Sequence, residues 1–264
     1  MKLAAVLDSL DVPAGAPIYV HSSMDWMGRA GIAAGEALDA LLERSAGASF
    51  SMPTYPFRGS YVDYLRSNPP PLDIARTPSR IGLLNELFRR LPGARRSLDA
   101  DIPISSYGPG AEHICGSSPS GELPCGEDSA FCRVIGHGGF LLGLGVSANT
   151  NPLIHYVDYL FRDQCPLPLF TEEVFELTVI DGTGAVHRQR RRGVSDAVQK
   201  AIRPGRLYRV SERTPCYFRS VTVNDAHFFR VDLAPWFDDA VCHAKGRYRD
   251  GRLPCWLATD EEAP

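Results

Sequence analysis

Hydrophobic residues between positions 138 and 162 follow two different spacings, and the change between them predicts a strand, a turn and a helix. Phe140 to Leu144 is a compact apolar run of the length of a buried strand. Glycine, serine, asparagine and proline then interrupt regular structure. Ligand sites in α/β sheets lie where strand ends meet helix N-termini, so this junction is where we first look for chemistry. The apolar residues that follow recur at helical spacing: Leu153, Ile154, Val157, Leu160 and Phe161.

The same two spacings alternate through the N-terminal part of the chain. Alternating strands and helices favour a parallel sheet with helices packed against it. The predicted helices are Leu3 to Leu10, Gly35 to Arg44 and Ile81 to Arg90, and the predicted strands are Pro17 to His21 and Ser49 to Met52.

After Asp163 the pattern becomes mainly β, with a hairpin signal at Asp181-Gly182. We therefore expect an α/β fold, a layered mixed sheet with flanking helices, in one domain of residues 1–264 with a β-rich C-terminal portion over 170–264. The predicted strands of that portion are Val174 to Ile180, Ala185 to Gln189, Arg219 to Val223 and Phe228 to Leu233.

Residues 55–79 read as a long connection, because aromatic side chains mix there with the proline run that follows Asn68. Long loops in compact domains are often binding loops, so we expect a lid-like loop. Its aromatic and acidic residues, such as Tyr55, Asp63 and Asp73, either line a pocket or tether the loop.

His155 and Asp158 are three residues apart on the predicted helix and therefore share a face. A carboxylate beside an imidazole favours the protonated ring and can hold one tautomer, which is what a general base needs. The same spacing also occurs in ordinary structural hydrogen bonds. The position just past a strand end favours the catalytic interpretation.

Composition excludes several function classes. The net charge is −3, and the basic run HRQRRR from His187 to Arg192 has no interleaved aromatic residues, so we expect a charged strand edge and no nucleic-acid partner. Only three lysines are present, and GxSxG, GxGxxG and GxxxxGK are absent. Gly143-Leu144-Gly145 is a fragment of a glycine-rich loop and weak evidence alone.

The seven cysteines are odd in number, widely spread and without a CxxC pair, which predicts no metal site and reduced thiols in a cytoplasmic protein. No targeting segment or membrane span is expected. The basic hairpin and the β-rich C-terminal portion could form the interface of a homo-oligomer.

Several short segments, taken in order, resemble the aminoglycoside 3-N-acetyltransferases, the antibiotic N-acetyltransferases that lack the GNAT fold. Each is weak alone, but their order and spacing are fairly specific, and the similarity spans about Ile18 to Asp158. The segments are Val20-His21-Ser22-Ser23, Met52-Pro53-Thr54, Gly82 to Arg89 with Leu91-Pro92-Gly93-Ala94 and Arg96-Ser97, Gly126 to Phe131, Phe140 to Gly145, Asn149-Thr150, and His155 with Asp158.

This resemblance implies a fold like that of the family and a CoA-dependent transfer of an acetyl or other acyl group to the amine of a small molecule such as an amino sugar or aminoglycoside. His155 would act as the general base and Asp158 would support it. Acetyl-CoA would be the co-substrate, without a metal. By the same resemblance the CoA site would be lined by His21, Ser22, Ser23, Thr54, Arg96 and Ser97.

The chain departs from the family pattern at three places. The family has Arg-Ser-x-His-Pro where this chain has Arg96-Ser97-Leu98-Asp99-Ala100, and it has Glu where this chain has Asp158. Asn151-Pro152 is extra length between Asn149-Thr150 and His155. Two alternatives therefore stay open. One is a catalytically silent homologue that binds CoA or a protein partner. The other is a hydrolase in which Cys132 or Cys115 is the nucleophile near His155.

Overall fold

The structure is a computed structural model that describes residues 2–116, 119–147, 151–195, 197–198 and 216–257. The helices of these ranges are α1 (Leu3–Ser9), α2 (Met24–Arg29), α3 (Ala34–Arg44), α4 (Tyr61–Arg66), α5 (Leu83–Arg89), α6 (Ala111–Cys115), α7 (Ala130–His137), α8 (Ile154–Leu160) and α9 (Leu233–Arg249). The strands are β1 (Ile18–Ser22), β2 (Phe50–Pro53), β3 (Leu72–Asp73), β4 (Arg95–Arg96), β5 (Ile104–Tyr107), β6 (Phe140–Leu144), β7 (Phe170–Ile180), β8 (Val186–Val194), β9 (Phe218–Val223) and β10 (Ala226–Asp232).

Seven strands form the main sheet in the order β4-β5-β2-β1-β6-β10-β9. Its centre is parallel, because β1 pairs in parallel with both β2 and β6. The flanking pairs β2–β5, β4–β5, β6–β10 and β9–β10 are antiparallel. The sheet is mixed, as predicted, and its parallel centre agrees with the alternation of strands and helices in the N-terminal sequence.

Helices cover both faces of this sheet. Alternate residues of a strand point to opposite sides, and the central strands carry apolar side chains on both sides that the helices bury. Ile18 and Val20 of β1 pack in one hydrophobic core with α1, α2, α3 and α5. Tyr19 lies in a second core, where the sheet meets α6, α7, α8 and α9. The predicted layered architecture with flanking helices is therefore confirmed.

Two glycines allow β6 to pass close to its neighbours. A Cβ on Gly143 would lie 1.8 Å from the ring of Phe229 on β10. Gly145 has a φ of 69°, and a Cβ there would lie 2.9 Å from the Cβ of Trp26 on α2. Close packing thus explains why glycine is needed at both positions. Gly143-Leu144-Gly145 does not form a separate glycine-rich loop.

A small second sheet has the order β3-β7-β8. The hairpin predicted at Asp181-Gly182 joins β7 to β8, and β8 is an edge strand, as the basic run predicted. Its arginines do not all face water, however. Because side chains alternate along a strand, Gln189 and Arg191 are buried while Arg188 and Arg190 are exposed.

Residues 55–79 contain the helix α4 and the strand β3, where the sequence predicted an irregular connection. The prolines after Asn68 do not prevent this helix, because α4 ends at Arg66, before they begin. Asp73 tethers the following turn by accepting the backbone N–H groups of Ala75 and Arg76, each at 2.9 Å. The role of this segment as a lid stays a prediction.

The 17-residue helix α9 was missed in the sequence, where residues 170–264 were predicted to be β-rich. Four predicted strands do form in that portion, as β7 to β10. The signal for α9 was present: its buried residues recur three or four positions apart, and its proline lies in the first turn, where proline is tolerated. Those buried residues are Leu233, Trp236, Ala240 and Ala244.

Among the helices of the described residues, none combines the length and the apolar character needed to cross a bilayer.

Candidate active site

The carboxyl ends of four strands meet along one edge of the main sheet. β1, β2 and β6 are mutually parallel, and β4 runs in the same direction because both β4 and β2 are antiparallel to β5. All six residues predicted for the CoA site lie at or just after the ends of these strands. His21 and Ser22 are the last residues of β1 and Ser23 follows it, Thr54 follows β2, and Arg96 ends β4 and is followed by Ser97. β6 leads from the same edge toward α8.

His155 and Asp158 are joined by a hydrogen bond on α8, between Nδ1 of His155 and Oδ2 of Asp158 at 3.1 Å. The side chain of Asp158 is 4% exposed, whereas that of His155 is 28% exposed. The other carboxylate oxygen, Oδ1, accepts the indole N–H of Trp256 at 2.8 Å. Asp158 is thus fixed between a buried donor behind it and an imidazole that reaches solvent.

This arrangement selects one tautomer of His155. An ionised carboxylate can only accept hydrogen bonds, so Nδ1 of His155 must carry the proton of the shared bond. Nε2 then presents a lone pair and can accept a proton from a substrate. The His155–Asp158 geometry is that of an oriented general base.

A cavity of about 280 Å³ opens beside His155. Its walls are mainly aromatic and aliphatic, and its polar lining groups are few, as in ligand sites generally. The lining residues are Tyr55, Phe57, Arg58, Gly59, Tyr61, Ile81, Ile102, Pro124, Cys125, Phe131, Pro152, His155 and Val194. Tyr55 and Tyr61 confirm that the 55–79 segment contributes to a pocket.

Two buried polar atoms at the end of β1 have no hydrogen-bond partner: Nε2 of His21 and Oγ of Ser22. Burial lowers the pKa of His21 to about 3, so its ring is neutral. The ring packs edge-on against Tyr19 at a centroid distance of 5.1 Å. An unpartnered buried polar group costs free energy unless a ligand or water satisfies it, so these atoms suit a polar ligand at this edge.

The two terminal nitrogens of Arg96 form bonds within the protein, whereas its buried Nε has no hydrogen-bond partner. Its guanidinium is buried and donates to the carbonyl oxygens of Thr77 (2.6 Å) and Thr54. Oγ of Ser97 accepts the backbone N–H of Ile104 at 3.1 Å. These bonds tie the ends of β2 and β4 together. A contact between Arg96 and a CoA phosphate stays a prediction.

Asp99 stands where the resembled motif has histidine, and it belongs to a buried cluster that sequence reasoning missed. Oγ of Ser97 donates to Oδ2 of Asp99 at 2.9 Å. Arg191 of β8 lies 3.8 Å from Asp99 and 3.6 Å from Asp101. The pairing could not be read from the sequence, because 90 or more residues separate Arg191 from both carboxylates.

Burial raises the pKa of Asp99 to about 7, against the nearby charge of Arg191, which lowers it. The folded state therefore binds one more proton than the unfolded chain between about pH 4 and 7. The stabilising contribution of this proton is complete below about pH 4 and is lost as the pH rises through 7.

Asp99→Asn should remove this pH dependence, because the amide keeps the bond from Ser97 without titrating. We expect the free energy of unfolding of the wild type, minus that of the variant, to fall between pH 4.5 and 7 and to level off above it. Urea denaturation at several pH values measures the difference. A difference that stays constant or rises with pH would mean that Arg191 keeps Asp99 ionised.

The geometry does not favour a cysteine nucleophile. Neither Cys115 nor Cys132 lines the cavity beside His155. Burial raises the pKa of Cys115 to about 12, and burial with the nearby Asp101 raises the pKa of Cys125, the thiol that does line the cavity, well above its usual range. Since the thiolate is the nucleophile, these two thiols are poor candidates.

Within the residues that the structure describes, no group of three or more histidine, cysteine, aspartate and glutamate side chains is placed to hold a metal ion.

Comparison with known proteins gives the same family as the sequence motifs. Residues 19–243 match the profile of the aminoglycoside 3-N-acetyltransferases. Aminoglycoside N(3)-acetyltransferase III of Serratia marcescens is 31% identical over 197 residues, which are 70% of this chain and 71% of that protein. Aminoglycoside N(3)-acetyltransferase VIII of Streptomyces fradiae is 27% identical over 180 residues, 60% of this chain and 59% of the relative.

Solved structures share the fold. The structure titled "AAC-IIIb binary with CoASH" superposes with a TM-score of 0.73 at 22% identity, over 93% of this chain and 95% of that one. "AAC-VIa bound to Sisomicin" gives a TM-score of 0.73 at 19% identity, over 93% and 96%. On the extent of the profile match and the identity to its relatives, the chain belongs to the aminoglycoside 3-N-acetyltransferase family.

Proposed function

We propose that the protein transfers an acetyl group from acetyl-CoA to the amine of a small molecule, such as an amino sugar or an aminoglycoside, with His155 as general base and Asp158 as the residue that orients it. The observation that carries this proposal is the 3.1 Å bond between His155 and the buried Asp158, on a ring that lines a cavity. Family membership supports the reaction class, because the matched relatives are named as N-acetyltransferases.

The chemistry requires little beyond a base and good positioning. An alkylammonium with a pKa near 10 is not a nucleophile until it loses a proton, whereas a thioester is already activated. The nitrogen loses two protons in becoming an amide. The first is lost to solvent when the ammonium becomes the free amine. Nε2 of His155 accepts the second as the amine nitrogen bonds to the acetyl carbon, and it passes this proton to the sulfur that departs when the carbon–sulfur bond breaks, giving an amide and free CoA thiol.

The CoA side of the site is assigned to the strand-end edge that carries His21, Ser22, Ser23, Thr54, Arg96 and Ser97. The buried atoms of His21 and Ser22 without partners support this assignment, because a polar ligand would satisfy both. The convergence of β1, β2, β4 and β6 at one edge also supports it, since ligands of α/β sheets bind outside the carboxyl ends of strands.

We further propose that the protein acts in the cytoplasm. No disulfide joins cysteines in the part of the chain that the structure describes, which suits a reducing compartment and supports a cytoplasmic location. Assembly as a homo-oligomer stays a prediction.

Two measurements on the purified protein test the function. Calorimetry with CoA should give saturable binding, and thiol release from acetyl-CoA should be accelerated by at least one compound in a panel of amino sugars, aminoglycosides and simple amines. Binding without turnover of any amine would favour the silent homologue. Neither binding nor turnover would refute the proposal.

A further inference from the structure

Three segments of the candidate active site meet at one side chain of the second sheet, that of Arg191. This side chain is 2% exposed, although β8 is an edge strand. A guanidinium carries five N–H donors that diverge in one plane, so a single buried arginine can bind several segments at once. The contacts of Arg191 run to the loop between β4 and β5, to α4 and to the segment of residues 121–125.

The loop between β4 and β5 begins with Ser97, which belongs to the strand-end edge proposed for CoA. Arg191 lies 3.8 Å from Oδ1 of Asp99, and Oδ2 of the same carboxylate accepts the hydroxyl of Ser97 at 2.9 Å. Gln189, on the same face of β8, accepts one backbone N–H group of this loop and donates to one of its carbonyl oxygens. Because Arg191 donates to Oε1 of Gln189 at 3.0 Å, the two side chains hold the loop together.

The second contact of Arg191 reaches the first residue of α4, Tyr61, which lines the cavity beside His155. The hydroxyl of Tyr61 donates to Oδ2 of Asp101. Oδ1 of this fully buried carboxylate lies 3.6 Å from Nε of Arg191. The position of Tyr61 in the cavity wall therefore depends on a buried ion pair with β8.

The third contact fixes residues 121–125, which supply two of the side chains that line the same cavity. Arg191 donates from Nη1 to the carbonyl oxygen of Gly121. The backbone N–H of Arg192 donates to the carbonyl oxygen of Glu122 at 2.8 Å. This segment contains neither helix nor strand, so bonds to β8 take the place of regular structure in holding it.

The charge of the cluster favours a role in positioning. One guanidinium and two carboxylates are removed from water here, and the cost of their desolvation offsets most of their attraction. Such a cluster therefore adds little net stability compared with apolar packing of the same volume. Its directional bonds instead define one arrangement of the three segments, whereas apolar contacts tolerate several.

We propose that Arg191 is a positioning residue for acetyl transfer, which holds the CoA edge at Ser97 and the cavity wall at Tyr61 and residues 121–125 in the arrangement that His155 requires. This inference rests on the proposed function and adds to it a residue that acts through its neighbours. A displacement of about 1 Å between reacting groups can cost about 100-fold in rate, so the loss of Arg191 should change the kinetics of the folded enzyme.

Arg191→Lys tests this role, because lysine keeps a cation beside the carboxylates but lacks the planar fork that reaches all three segments. Thiol release from acetyl-CoA is measured with sisomicin and with glucosamine, well below the melting temperature of the variant. We expect kcat/KM to fall at least about tenfold with each amine that the wild type acetylates. Arg188→Lys, the same change on the exposed face of β8, is the control and should keep wild-type constants. A lower melting temperature with unchanged kcat and KM values would show a structural role alone and overturn the inference.

Hydrogen exchange tests the positioning without a substrate and so separates this inference from the proposed function. In Arg191→Lys, amides of residues 97–101, of α4 and of residues 121–125 should exchange at least about fivefold faster than in the wild type, whereas those of α1 and α3 should not change. Equal changes in all of these elements, or a change in none, would overturn the inference. If the expected pattern appears but the wild type neither binds CoA nor acetylates an amine, the proposed function is refuted while Arg191 still orders these segments.

A charge-balanced variant covers the case in which Arg191→Lys does not fold. Arg191→Gln combined with Asp101→Asn removes one buried charge of each sign, and the same kinetic and exchange results are expected from it. If neither variant folds, the cluster serves folding and the inference is wrong.

Discussion

His155→Gln is expected to lower kcat/KM for acetyl transfer at least about 100-fold, the usual contribution of a positioned general base. Glutamine keeps polarity and similar bulk but cannot accept and release a proton at neutral pH. Affinity for CoA should change less than about twofold, because the base acts on the amine. Thiol-release kinetics and calorimetry with CoA measure the two effects.

His113→Gln on α6 is the matched control, since His113 is exposed and does not line the cavity. It should keep wild-type kinetics. If His155→Gln retains more than about a tenth of the activity, His155 is not the base. If the protein has a biological activity that survives both changes, the silent homologue becomes the better account.

Asp158→Asn is expected to reduce kcat about 100-fold or more, through the tautomer of His155. The indole N–H of Trp256 requires an acceptor, so the amide oxygen of asparagine turns toward Trp256 and its NH₂ group toward Nδ1 of His155. Nδ1 must then accept and Nε2 carries the proton, which is the wrong form for a base.

Trp256→Phe provides the discriminating companion to this variant. Without the indole donor, the asparagine amide can rotate and present its oxygen to Nδ1. The double variant Asp158→Asn, Trp256→Phe should therefore recover part of the kcat lost in Asp158→Asn. If the double variant is as slow as the single one, or slower, Asp158 acts through its charge and not through the tautomer.

Much of the fold was predictable from the sequence because the central strands and their helices carry clean periodicity. The Phe140 to Leu144 strand and the helix with His155 form as predicted, in β6 and α8. The pair His155–Asp158 was also predictable, since positions three apart on a helix share a face. The burial of Asp158 and the hydrogen bond that it accepts from Trp256 were not predictable, because 98 residues separate Trp256 from Asp158.

The sequence-based predictions were wrong at several places. The proline run after Asn68 favoured an irregular segment over residues 55–79, but the helix α4 forms because it ends before these prolines begin. The arginines of β8 read as a uniformly solvated edge, although Arg191 turns inward to Asp99 and Asp101. Beside the cavity, the ring of Phe57 stacks on the rings of Tyr55 and Tyr64, and no rule of residue spacing predicts this stacking.

The resemblance supplied roles that residue patterns alone did not, and the structure constrains how those roles can be met. Arg96 joins the ends of β2 and β4 through its terminal nitrogens, so Nε, which has no partner, is the nitrogen that remains for a ligand. Ser22 and His21 already hold buried polar atoms without partners. Asn149-Thr150, which belongs to the resemblance, lies outside the described residues.

The most direct test of the account is a crystal structure of the protein with CoA bound. We expect the sulfur to face Nε2 of His155 across a gap that one amine nitrogen fills, about 4–6 Å, because each of the two contacts is about 3 Å. The imidazole should stay bonded to Asp158. A second cavity, of about 570 Å³, is lined by Arg89, Arg90, Arg95 and Arg96 among others. A thiol that ends in this second cavity, or a His155 ring turned away from Asp158, would contradict the account.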